Sequence, residues 1–137
     1  VKLSKPLLVR RLTNMAYNNI HGQVETYIAG ADLSSSQYLF VKVSGANVVV
    51  AGDGEAAVGV LWNDPTSGKA ASVVRGGDPH VYAGAAIAAG IDIASDAAGK
   101  AVAATTGDII LGTTRAAAAA SGDLVQINFI TGGNAAA

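Results

Sequence analysis

The chain has 137 residues, half of them hydrophobic, with 5% aromatic, 14% charged, no cysteine and a formal net charge of −1. That length suits one domain with a buried core, and the missing cysteines exclude disulfides and thiolate chemistry. The longest uncharged runs are broken by Gly and Asp well short of a bilayer-spanning length, which argues against a membrane helix.

The charge is uneven along the chain. Residues 1–24 hold Lys2, Lys5, Arg10 and Arg11 and no acid, whereas the remainder holds five basic and ten acidic residues. Pro6 interrupts any helix, and Asn14, Asn18, Asn19, Gly22 and Gly30 punctuate the stretch after it, so residues 1–35 read as an extended N-terminal arm. Within it, Gln23 to Ile28 alternates as a strand does. Leu3, Leu7, Leu8, Val9, Leu12, Met15, Tyr17 and Ile20 make the arm too apolar for a solvated tail, and predict that it orders on a partner. Val1 to Arg11 has no secretion-signal pattern, which together with the absent cysteines predicts assembly in a reducing cytoplasm.

Ala31 to Ser36 is a small polar linker that separates the arm from a body over 36–137. Strands are predicted over Gln37–Val43, Val48–Ala51 and Ala56–Trp62, with the stretch from Val48 to Val60 reading as a glycine-turned hairpin. Asn63 to Gly68 is a loop, since Pro65 presets φ and Asp64 bonds its own backbone. Ala70–Arg75, Ile91–Ile93, Ile109–Leu111 and Leu124–Phe129 come next as strand runs. Gly-containing breaks at Asp96–Gly99, Thr105–Gly107 and Ser121–Asp123 separate the later ones. Turn signals at this spacing predict an all-β fold, a small barrel or sandwich. The five alanines 116–120 favour helix by propensity but have room for two turns at most, which leaves a helical turn and a packed strand edge both open. No exact long-period repeat is legible, although small-residue turns recur.

Motifs that carry chemistry are weak. Gly52-Asp-Gly-Glu-Ala-Ala57 fits G-x-G-x-x-[G/A], yet a dinucleotide site needs a helix to hold the pyrophosphate, and Val58–Trp62 with Pro65 behind it leaves no room for one. His21 and His80 lack the spacing of a metal helix. Asp53, Glu55, Asp64, Asp78, Asp92, Asp96, Asp108 and Asp123 lie mostly beside turn residues, where carboxylates bond the backbone. No G-x-S-x-G elbow surrounds Ser44, Ser67 or Ser121. No catalytic, metal or cofactor site is therefore assigned, and no enzymatic activity is expected. Nucleic acid is not an expected partner, because no aromatic-plus-basic stripe accompanies the basic arm and the body is acidic. Phe40, Phe129, Tyr38 and Trp62 read as core, with Tyr82 beside a loop.

The stretch from Phe40 to Phe129 resembles the capsid cement, or head decoration, proteins of tailed bacteriophages. The residues that carry this are Phe40–Gly45, Val48–Gly52 and Ala57–Leu61, then Ala83–Gly90, Ile93, Asp96–Asp108 and Ile110 to Phe129 with its alanine run and Gly122-Asp-Leu124. The resemblance implies a structural virion protein on the outer surface of the head, bridging neighbouring capsomers. Its partners would be the major capsid protein and itself, as a homotrimer. The arm lies outside the resemblance; from its chemistry alone Leu7, Leu8, Arg10, Arg11 and Tyr17 are the expected capsid contacts, and removing Val1 to Gly30 should abolish decoration. The alternative is a receptor- or glycan-binding β module, for which Trp62 and Tyr82 would be the aromatic platform.

Overall fold

The computed structural model describes residues 24–130 and 133–136. Ten short strands run β1 (Val24–Ile28), β2 (Phe40–Ser44), β3 (Asn47–Val50), β4 (Gly59–Leu61), β5 (Ala70–Val74), β6 (His80–Tyr82), β7 (Asp92–Ser95), β8 (Ala101–Ala103), β9 (Gly112–Thr114) and β10 (Leu124–Phe129). They form two antiparallel five-stranded sheets, β1-β5-β4-β2-β3 and β6-β10-β9-β7-β8. The expected all-β class is the one observed; neither sheet closes into a barrel, and the arrangement is sandwich-like.

Numbered from its own first strand, each sheet has the same strand order, and the match extends to single hydrogen bonds. One parallel bridge joins the end of the first strand to the third in each: Ala29 with Val48, and Ala83 with Ala101. Gly30 N–H donates to Val48 O at 2.8 Å as Gly84 N–H donates to Ala101 O at 2.7 Å, and Val58 N–H donates to Val41 O as Leu111 N–H does to Ile93 O, both at 2.8 Å. Residues 24–75 and 78–129 are thus two copies of one five-stranded unit. The repeat is hidden in the sequence because the copies share mainly backbone-critical small residues, Ala29-Gly30-Ala31 with Ala83-Gly84-Ala85, Gly54 with Gly107, Gly59 with Gly112, and Gly68 with Gly122. Gly59 and Gly112 show why: a Cβ on either would overlap a backbone carbonyl oxygen, that of Val74 or of Asn128, at the same place in the unit.

Each unit has its own core. Ala29, Leu33, Val41, Val48, Ala71 and Val73 cluster in the first, and Ala83, Ile87, Ile93, Ala101, Val125 and Ile127 take the matching places in the second. The second cluster also contains Phe40, Ala51, Ala57 and Val60 from the first unit, so the units join through a continuous apolar interface. Phe40 is completely buried and lies 6.3 Å from Phe129, ring centre to ring centre. Complete burial of a chain's few large side chains contributes roughly 1.5–3 kcal/mol each.

Several elements differ from the sequence reading. Residues 24–35, placed in the arm, pack on the first unit: β1 pairs with β5 along its whole length, and Leu33 is 2% exposed. The expected hairpin from Val48 to Val60 does not form. β3 and β4 lie on opposite sides of β2, because the turn at 52–55 carries the chain across that strand. Ile109–Leu111 precedes β9 and is not part of it. The alanine run forms no helix; Ala118 is buried and bridges Ile87, while the Asp123 carboxylate accepts from the Ala119 and Ala120 N–H groups at 2.8 and 3.2 Å. A side chain that takes those N–H groups offers the backbone an alternative to helix.

Candidate functional site

Several of the turn acids sit where backbone donors converge. Asp96 accepts from Ala98 and Lys100 N–H at 2.8 and 2.9 Å, Asp108 from Thr105 N–H at 3.0 Å, and Asp32 from Ser34 N–H at 3.1 Å. Asp78 forms an ion pair with Arg115. Among the described residues no three of His, Cys, Asp and Glu come together as a metal-holding group, and no helix is long and apolar enough to cross a membrane. His80 lies in β6; His21 is outside the described residues.

Gly52–Ala57, the nucleotide-like motif, is a capped turn between β3 and β4. Glu55 N–H donates to Gly52 O at 3.3 Å, Gly54 has a φ of 68°, and the Glu55 carboxylate folds back to accept from Gly52 N–H at 2.6 Å. A strand comes after the motif, so there is no helix N-terminus to receive a phosphate. The same carboxylate holds Lys42 Nζ at 2.8 and 2.9 Å. The bonds from Lys42 and then from the Gly52 N–H favour the ionised form and keep the Glu55 carboxyl below the usual glutamate range.

This turn forms one wall of a shallow, open groove lined by Lys42, Val43, Glu55, Ala56, Ala57 and Val58. Its floor is apolar and its one ion pair is internally satisfied. Val43 is 51% exposed beside it. Other apolar side chains that reach solvent are Val24, Ile28, Ile91, Leu124 and Ile130.

Of the aromatic residues, Phe40 and Phe129 are core, as expected, whereas Tyr38, Trp62 and Tyr82 are half-buried. The Tyr38 and Tyr82 rings meet edge to face at 5.9 Å, and Tyr82 pairs across the strands with exposed Leu124. Leu7, Leu8, Arg10, Arg11 and Tyr17, the expected capsid contacts, lie outside the described residues. Sequence reasoning did not find the groove, because its walls come from β2 and from a turn that the hairpin reading paired with β3.

No protein-family model matches the chain, and no curated protein matches it. Among solved structures, the chain is similar to the N base of head fiber gp8.5 in bacteriophage phi29. The superposition has a TM-score of 0.66 at 19% sequence identity and covers 78% of this chain and 92% of that one. At this identity the likeness is one of fold, and it spans most of the two-unit body.

Proposed function

We propose that this chain is a structural protein of a phage virion that binds the outer surface of the head and bridges neighbouring capsomers. The fold shared with the base of a phage head fiber carries this reading, and the likeness to cement proteins in turn placement and small-residue pattern between Phe40 and Phe129 agrees with it. The physical task is binding without chemistry. A protein that binds only the assembled shell stabilises it by mass action, and weak bridges repeated over a lattice add through multivalency. The exposed apolar residues Val24, Ile28, Val43, Ile91, Leu124 and Ile130 offer surface for such contacts. In this reading the major capsid protein is one partner and a homotrimer presents three copies of each contact, with assembly in the host cytoplasm.

The test is quantitative mass spectrometry of virions that carry this chain, with its copy number compared to that of the major capsid protein. A ratio approaching one copy per capsid subunit is expected. A few copies per particle would replace the shell-wide role with a fiber or tail role, and absence from the virion would overturn the proposal.

A further inference from the structure

The internal repeat allows one unit to be read against the other, and the two differ at one strip of backbone. In the second unit Gly107–Ile110 is paired with the chain's own C-terminal segment. Ile110 N–H donates to Asn134 O at 3.0 Å, Ala136 N–H to Asp108 O at 2.7 Å, and Gly107 N–H to Ala136 O at 3.0 Å. Ile109 and Ala135 form the antiparallel bridge between them.

The matching strip of the first unit is Gly54–Ala57. Gly54 and Gly107 both have positive φ, 68° and 91°. Glu55 N–H donates to Gly52 O as Asp108 N–H donates to Thr105 O, and the two acids cap their turns in the same way. Here the added pairing stops at Gly54, whose N–H is taken by Ser95 O at 2.9 Å and whose carbonyl accepts from Ile109 N–H at 3.0 Å, both of the second unit. The Ala57 N–H and the Glu55 carbonyl, which correspond to the Ile110 donor and the Asp108 acceptor, make no hydrogen bond among the described residues. They border the groove of Lys42, Val43, Glu55, Ala56, Ala57 and Val58.

We infer that the Glu55–Ala57 strip is a strand-addition site for an extended segment of another polypeptide chain, lying antiparallel to it as residues 134–136 lie on 108–110. Main-chain bonds to the Ala57 N–H and the Glu55 carbonyl supply the pairing, and the groove floor receives alternate side chains. The occupant is an uncharged segment with small side chains. The stretch that fills the matching place is Asn134-Ala135-Ala136, the groove is shallow, and Lys42 and Glu55 already satisfy each other. This inference rests on the internal comparison and does not depend on the capsid reading.

The experiment uses the full chain labelled with 15N and, as probe, a capped peptide with the sequence of residues 131–137. Titration is followed by amide shifts and hydrogen exchange. The expected result is a saturable shift of the Ala57 amide with slowed exchange there, lost when the peptide carries N-methyl groups on alternate backbone nitrogens. No shift at Ala57, an equal shift with the N-methylated peptide, or shifts confined to Gly107–Ile110 through displacement of the chain's own tail would each overturn the inference.

Discussion

At the scale of single residues, Glu55 does in the first unit what Asp108 does in the second, but its longer side chain also reaches Lys42. Because the folded-state carboxyl is held below its ordinary value of 4.5, its contribution to stability is fully present above that value. The contribution is lost as the pH falls through the folded value. Glu55→Gln should therefore be less stable than the parent near neutrality, with a gap that narrows as the solution is acidified. Urea unfolding between about pH 3 and 7 measures this. Asp32, lowered by its bonds with Ser34, titrates in both proteins and cancels in the difference. A gap independent of pH would show that the Lys42 and Gly52 bonds do not depend on the charge of Glu55.

The same scale shows where local rules stop. That Glu55, Asp96, Asp108 and Asp123 cap their turns was legible, because a carboxylate next to free N–H groups has a local partner whatever the fold. The equivalence of Tyr38 and Gly90 was not. Both have positive φ, 65° and 75°, and both donate to the matching carbonyl, Leu61 O or Thr114 O, at 2.8 Å. A tyrosine in the left-handed region runs against preference, so no local rule predicts it. Tertiary context holds it there, through the edge contact with Tyr82 and the bond from Tyr82 N–H to Tyr38 O at 3.0 Å.

At the scale of elements, strands were read best where burial alternates along a run with its turns well marked. Leu124–Phe129 is one strand both by sequence pattern and in the fold, with Val125, Ile127 and Phe129 buried. Strand pairing was harder to read, because Ala- and Val-rich strands carry little register information and a glycine turn fits a hairpin as well as a crossing. Comparison of matching elements identifies which residues bind the units together. Phe40 in β2 corresponds to Asp92 in β7; Phe40 is covered by the second unit, whereas Asp92 faces solvent. Phe40→Ala should cost about 3–5 kcal/mol by emptying the interface. Asp92→Ala at the matching site should change stability by no more than about 0.5 kcal/mol. Denaturant unfolding of the two variants tests this, and equal costs would mean that Phe40 does not hold the units together.

At the scale of the whole molecule, two units of one topology share an interface whose counterpart on the second unit is more polar: Asp92 and Thr113 stand where Phe40 and Val60 make the interface, while Ala104 and Ile110 match Ala51 and Ala57. The pairing within the first unit decides where an N-terminal truncation must fall. A cut after Gly30 would remove β1, the Ala29 N–H bond to Lys69 O at 2.9 Å and the Gly30 bond to Val48, and so would damage the first core. Loss of head binding after such a cut would say nothing about Leu7, Leu8, Arg10, Arg11 or Tyr17. A chain beginning at Val24 keeps both sheets, both cores and the bridges that tie each first strand to its third. It should retain the cooperative thermal transition of the parent yet fail to decorate undecorated heads in a sedimentation assay. Decoration at parental affinity by that folded truncation would exclude residues 1–23 from the capsid contact and move the search to the body's own exposed apolar residues and its open strip at Glu55–Ala57.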